Sequence, residues 1–312
     1  MKGNILTVVS VNISEARGTV KKPVPVIHLG EKGIEGDAHA GHWHRQVSIL
    51  GEESIQRFGK ELGRIPGPGE FAENITTKGV ELGETLPLDR IISENTELEI
   101  TQIGKKCHGT GCAIYNETGN CVMPKEGVFA RVIRGGKVKA GDRMEYVPRL
   151  YRYLVITLSD RASTGEYDDR SGPAIKRFLE GHFGLLKRGI RTDNVIMPDD
   201  KVKLRDLLER SCRGQYDFII TTGGTGVGVR DICPDVIRPM LDKEIPGIME
   251  MIRVKYGAGK PNALLSRGVA GLMGSAFVYT LPGSVRAVNE YMTEIVKTMD
   301  HLLYMYHGID AH

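Results

Sequence analysis

The chain has 312 residues, 40% of them hydrophobic and 26% charged, and its 42 basic and 39 acidic side chains leave a formal net charge of +3. So small an excess argues against nucleic acid as the main partner, which calls for a concentrated basic face, but it leaves room for a local basic pocket holding a small anion. Length predicts two domains, each long enough to bury its own core. The opening MKGNILTVVSVNIS reads as a first strand rather than a signal peptide, and no run of 18 apolar residues predicts a membrane-crossing helix. Five cysteines, three of them crowded at Cys107, Cys112 and Cys121, read as reduced thiols of a cytoplasmic protein.

Residues 1–148 carry short β-prone runs at 5–11, 47–50, 98–103 and 143–147, separated by Gly, Pro and Asn clusters. Many short strands at close spacing predict a mostly-β barrel or sandwich, with 52–62 as the one helix. Within this half, His39, His42 and His44 flank the single tryptophan, Trp43. A metal site and a polar pocket wall are both open there, because the spacing fits no standard structural zinc site. Glu70, Glu73 and Asn74 sit in a Gly-rich stretch that also reads as a capped turn. Cys107 and Cys112 lie beside Lys105, Lys106 and His108. Positive neighbours favour thiolate, so one of the two is expected to be exposed and reactive, ahead of Cys121; buried inert thiols are the plainer alternative.

After Pro148 the pattern changes. The apolar run 153–158 predicts a strand buried on both faces. A helix follows over 173–183, with Ile175, Phe178, Leu179 and Phe183 on one side. Then come a strand at 194–197, a helix at 202–212 that packs Cys212, a strand at 217–222, helices over 234–242 and 247–256, and a strand at 277–281. Ser284 caps a long final helix with Val285, Val288, Met292, Ile295, Met299 and Leu302 on one stripe. Alternating strands and helices predict a three-layer α/β domain over 149–312 around a mainly parallel sheet.

The clearest site is the Gly-rich run Thr222, Gly223, Gly224, Thr225, Gly226 after the strand at 217–222. Glycines let backbone N–H groups approach an anion closely, and ligands in such sheets bind beyond the carboxyl ends of strands. The run is neither a Walker A loop nor a dinucleotide fingerprint; a turn without a ligand is its plain reading. Asp199 and Asp231 follow strands on the same edge. They suit Mg²⁺ against phosphate oxygens, or a helix cap and a turn cap. Two further strand exits carry Ser159 and Asp160, and Pro282, Gly283 and Ser284. Cys233 lies two residues after Asp231, where lining the nucleotide site and plain packing are both open.

The stretches LSDRASTGEYDDRSGPAI, IMPDD, TTGGTG followed by RD and PD, ALLSR and LPGS resemble the molybdopterin adenylyltransferases, whose fold also forms the G domain of gephyrin-like proteins. The resemblance covers residues 151–307. It implies a trimeric enzyme that binds Mg-ATP and molybdopterin, transfers adenylate to the pterin's terminal phosphate and releases pyrophosphate. It places the metal and catalytic roles on Asp199 and Asp231, and the nucleotide phosphates on Thr222–Gly226. The pterin or its phosphate falls to Ser266, Arg267, Gly283 and Ser284, with Ser159, Asp160 and Pro282 beside them. ARGTVKKPV, GDAHAGHWHRQVS, GEFAENIT, QIGKKCH, FARV, RGG and KAGD, over residues 5–146, resemble the MOSC domain of molybdenum cofactor sulfurases. That implies a barrel that binds the cofactor and handles sulfur or molybdenum through Cys112 or Cys107. Molybdate-insertion enzymes and molybdoenzymes are the partners such a fusion implies. A pterin-binding scaffold without catalysis and a nucleotide hydrolase of the same fold are the competing expectations.

Overall fold

The computed structural model describes residues 4–106, 115 and 121–309. The chain divides into two compact units, Met1–Arg149 with Leu303–His312, and Leu150–Leu302.

The first unit contains β1 (Ile5–Ile13), β2 (Lys22–Val24), β3 (Ile27–Gly30), β4 (Gly33–Ile34), β5 (Val47–Gly51), helix α1 (Glu52–Leu62) and β6 (Ile75–Lys78). These are followed by β7 (Arg90–Ile92), β8 (Glu97–Ile103), the short helix α2 (Met123–Glu126), β9 (Val128–Arg134), β10 (Gly136–Val138) and β11 (Arg143–Val147). Seven strands run in the order β11-β7-β8-β9-β5-β6-β1, and β1 pairs back onto β11, so the sheet closes into a barrel; β2 extends from β1. Closure leaves the seven strands without a free edge. Alternate residues point inward, and Leu6, Val8, Val47, Ile49, Ile75, Leu98, Ile100, Val128 and Ala130 fill the interior. β3, β4 and β10 form a separate three-stranded sheet.

The second unit contains β12 (Leu150–Leu158), α3 (Asp160–Ser163), α4 (Ser171–Leu185), β13 (Gly189–Met197), α5 (Lys201–Ser211) and β14 (Phe218–Thr222). After these come α6 (Cys233–Ile237), β15 (Lys243–Glu244), α7 (Pro246–Gly257), β16 (Ala270–Met273), β17 (Ala276–Leu281) and α8 (Val285–Tyr306). Its sheet runs β13-β12-β14-β17-β16-β15. The first four strands are parallel, while β16 and β15 join antiparallel. The sheet is therefore mixed, which narrows the parallel arrangement expected from the sequence to those four strands. The helix expected over 234–242 is broken: α6 gives way to a 3-10 turn at Arg238–Met240, where Pro239 has no N–H to donate to the helix ladder.

On one face of the sheet, Leu154, Ile156, Ile219 and Val278 pack with Leu204, Leu208, Val236 and Ile237. On the other, Tyr153 stacks on Phe218 at 4.9 Å and Tyr151 meets Phe183 edge-on. α8 buries Val288, Met292, Ile295 and Met299.

Glu294, in the middle of α8, is 4% exposed. It accepts hydrogen bonds from Lys255 (2.7 Å), Lys297 (2.8 Å) and Tyr256 (3.2 Å). The Lys255 bond first, then that from Lys297, pulls its pKa from the usual glutamate range to about 2. A depressed carboxylate stabilises the fold above its unfolded pKa, and that contribution disappears as pH falls through the folded value. Glu294→Gln should therefore lower the melting temperature at pH 7, with the gap to the native protein closing between about pH 4.5 and pH 2. A gap that stays constant over that range in thermal unfolding would contradict the assignment.

Candidate active site

β14, buried along its length, delivers the chain to Gly223 at the carboxyl edge of the sheet. Gly223 has φ +99°, and a Cβ there would lie 2.3 Å from the Leu158 carbonyl oxygen, so no other residue fits. Its N–H donates to Leu281 O (2.9 Å), and Thr222 Oγ1 donates to Pro282 O (2.9 Å). The loop beyond is clamped by Arg267. Its backbone N–H donates to Thr225 O (2.9 Å). Its guanidinium donates to Gly226 O (2.6 Å), Asp231 O (2.6 Å) and both carboxylate oxygens of Asp235 (2.7 and 3.1 Å).

Two carboxylates crowd this loop. A Cβ on Gly224 would lie 3.2 Å from Asp199 Oδ1, and one on Gly226 would lie 2.7 Å from Asp231 Oδ2. Asp231 accepts from Gly228 N–H (2.8 Å), the turn cap expected of it. The helix cap, by contrast, falls to Asp200, which accepts from the N–H groups of Val202 and Lys203 at the start of α5. Asp199 is thereby left over. Its Oδ1 is buried without a hydrogen-bond partner. Burial first, and then the neighbouring Asp160 carboxylate, raise its pKa above the usual aspartate range. Asp160 itself accepts from Asp199 N–H (3.1 Å) and pairs with Arg230. No group of three or more His, Cys, Asp or Glu side chains gathers as a metal cluster among the described residues. Two carboxylates, one with an orphaned buried oxygen, fit a Mg²⁺ ion whose remaining ligands are phosphate oxygens and water.

A cleft of about 450 Å³ opens beside the loop, within the range of small-ligand sites. Of the residues expected from the sequence, Gly223–Gly226, Asp231, Ser266 and Pro282–Ser284 line it. Ser284 accepts from Ala287 N–H (3.3 Å) at the start of α8, where free N–H groups favour an anion. Five expected residues are not on that wall. Asp199 lies against Gly224 of the loop without lining the cleft. Thr222 is buried behind it, and Arg267 is spent on the loop. Ser159 caps α3 through Ala162 N–H and contacts Tyr167, while Asp160 faces Arg230. Lys260, Asn262, Arg286, Glu290 and Tyr291 also line the cleft, and sequence reasoning missed them; the i,i+4 pair Arg286–Glu290 was the available signal. A second cavity, about 330 Å³, lies against Val227, Gly228, Val229 and Lys201 and shares Asp231. Cys233 is fully buried, 3.1 Å from Thr221 Oγ1, and burial pushes its thiol up to about 12. It packs against the glycine loop, its N–H donating to Gly224 O (3.0 Å), and lines neither cavity.

In the first unit, Asp37 is the centre of a buried polar cluster. It accepts from Lys21 Nζ, from Ser14 N–H (3.1 Å), from Asn74 Nδ2 (3.0 Å) and from His39 N–H (2.9 Å). Burial raises and the bonds from His39 and Lys21 outweigh it, holding this carboxyl well below its usual range. His39 Nδ1 lies 3.3 Å from both Asp37 Oδ1 and Lys21 Nζ, which makes it part of a polar wall. Glu73, fully buried, accepts from Gly69 N–H and Thr76 Oγ1, and burial raises its pKa. Lys21 is 1% exposed; it lies in the MOSC-like stretch ARGTVKKPV, which did not set it apart from Lys22. Cys121 is buried. Cys107 and Cys112 lie outside the described residues.

With this geometry in place, the comparisons with known proteins agree on a class. Residues 154–301 match the family described as a probable molybdopterin binding domain, and residues 36–145 match the MOSC domain. The molybdopterin adenylyltransferase of Pyrococcus furiosus is 35% identical over 167 residues, covering 52% of this chain and 95% of that protein. The molybdopterin adenylyltransferase of Helicobacter pylori is 34% identical over 146 residues, covering 45% and 79%. Gephyrin of Dictyostelium discoideum is 32% identical over 155 residues, and the chain spans only 21% of its length. The chain thus belongs to the molybdopterin-binding domain family and carries a MOSC domain ahead of that domain.

The raised pKa of Asp199 has a stability consequence. A carboxyl whose folded pKa lies above its unfolded value stabilises the fold only while protonated, and that contribution is lost as pH rises through the folded value. Asp199→Asn should accordingly raise the melting temperature at pH 7. The gain should vanish below the ordinary aspartate pKa of about 3.9. A variant that melts lower than the native protein at pH 7 would rule out an uncompensated carboxylate here.

Proposed function

We propose that the second unit is a molybdopterin adenylyltransferase of molybdenum cofactor biosynthesis, with ATP and molybdopterin as substrates. An oxygen of the pterin's terminal phosphate attacks the α-phosphorus of ATP, the bond to the β-phosphate breaks, and pyrophosphate leaves. The observation that carries this reading is the orphaned buried oxygen of Asp199 against a glycine loop that also holds Asp231. Catalysis of this kind is positioning and charge neutralisation. The N–H groups of Gly223–Gly226 and the start of α8 are placed to hold phosphate oxygens. Asp199 and Asp231 would hold Mg²⁺, which supplies positive charge to the phosphates. Arg267, Ser159, Asp160 and Thr222 shape this edge rather than touch ligand, and Ser266, Gly283 and Ser284 remain its pterin or phosphate contacts.

The relatives' names support the same reading, as does the family match. The first unit would bind the pterin or finished cofactor, for sulfuration or handover, with Cys107 or Cys112 as its thiol. Tethering the two raises the local concentration of product at the second site. Assembly as a cytoplasmic trimer through the second unit, and handover to molybdate-insertion enzymes or molybdoenzymes, complete the proposal. Exposed Met251, Val254 and Leu264 offer apolar surface for such an assembly.

Pyrophosphate release from Mg-ATP should be stimulated by molybdopterin. Asp199→Ala and Asp231→Ala should each reduce it by about 100-fold or more, while circular dichroism stays native. Near-normal release from both variants would remove these carboxylates from the site. A native protein that binds pterin but releases no pyrophosphate would instead favour the scaffold reading.

A further inference from the structure

Beyond the reacting end, the cleft carries a carboxylate that the adenylylation chemistry leaves unused. Glu290 of α8 is 19% exposed and lines the cleft. Its Oε1 is held by two cations, Lys260 Nζ as an ion pair and Arg286 Nε at 3.3 Å. Its Oε2 receives no hydrogen bond among the described residues. Tyr291, the next residue in sequence, is 2% exposed and lines the same cleft, with its buried hydroxyl turned to Ser266. Asn262 and Ser266 add an amide and a hydroxyl to this wall.

The arrangement has a chemical meaning. A carboxylate offers roughly four acceptor sites, and two here are taken. The two cations fix its orientation and offset its charge, so the wall does not repel an anionic ligand. What stays open is the second carboxylate oxygen, an acceptor on the cleft wall. A 2-amino-4-oxopyrimidine ring presents the matching edge: an exocyclic amino group and a ring N–H side by side, the same two-donor fork that a guanidinium offers to carboxylates. Adenine does not match, because its amino group sits beside a ring nitrogen that accepts.

We propose that Glu290 reads this donor edge of the pterin ring and is the residue that selects a pterin in the cleft; the inference rests on reading the cleft as the pterin-phosphate site. Lys260 and Arg286 act through Glu290 as positioning residues. Tyr291 and Asn262 face the rest of the ring.

The test uses the full chain and simple heterocycles, followed by fluorescence titration. Pterin carries the 2-amino group, lumazine replaces it with oxygen, and GMP carries the same edge on a purine. The native protein should bind pterin about tenfold more tightly than lumazine, the scale of one lost charge-assisted hydrogen bond. Glu290→Ala should abolish that preference. Glu290→Gln, which keeps the shape, should weaken pterin in the same way and carries the test if the alanine variant does not fold. No preference in the native protein, or a preference that survives both substitutions, overturns the proposal. So does tighter binding of inorganic phosphate by Glu290→Ala at an unchanged pterin-to-lumazine ratio, since Glu290 would then only restrain two cations. Tighter binding of GMP than of pterin overturns the choice of ring. Pyrophosphate release measured in parallel separates the two readings: its absence defeats the adenylyltransferase, while the pterin-to-lumazine ratio still decides the role of Glu290.

Discussion

Three carbonyl groups of one loop, those of Thr225, Gly226 and Asp231, accept hydrogen bonds from a single residue, Arg267. Asp235 completes the fork from the far side. Charge-assisted bonds of this kind are stronger and more directional than neutral ones, and they fix both ends of the loop at once. The consequence reaches past the loop. The loop so held lies against Asp199, whose Oδ1 would be 3.2 Å from a Cβ on Gly224 and accepts no hydrogen bond. A fixed loop and a half-buried carboxylate with an unpartnered oxygen thus meet at one place. Groups held in place before ligand arrives need no reorganisation at the moment of reaction.

The same constraint explains where sequence reasoning succeeded in the second unit. Gly223 and Gly224 both adopt positive φ, and Gly223 sits against Leu158 O, so backbone geometry itself demanded glycines at the strand exit. Such positions are readable because one residue type satisfies them. The family resemblance implies Arg267 as a ligand contact, whereas in the structure its guanidinium holds the loop through Gly226 O and Asp231 O. Glu290 and Tyr291 were missed for another reason: the i,i+4 pairing of Arg286 with Glu290 marks a helix face, not a cleft. On a long amphipathic helix, a residue facing a cleft and one facing solvent follow the same period.

Strand assignment shows a similar division. The central run of β12 stood out because both its faces are covered, but its first residues, Leu150 to Arg152, alternate buried and exposed and looked like linker. β13 is an edge strand with mostly half-exposed side chains, so only its last, apolar residues were visible. The two-residue β15 and the four-residue β16 are too short for periodicity to register. In the first unit, strand-rich character was plain, whereas closure was not. Nothing local in residues 5–13 announces that their partners lie in 143–147.

That pairing has a kinetic meaning. Ile5 lies opposite Glu145 and Leu6 opposite Met144, so the first strand synthesised waits for the last before the barrel shuts. Contacts that join distant parts of a chain are slow to form, because the loop between them must close first. A growing chain therefore carries β1 with one open side until residues 143–147 have been made. Early termination or a stalled message within this unit yields an open sheet with sticky edges rather than a smaller barrel.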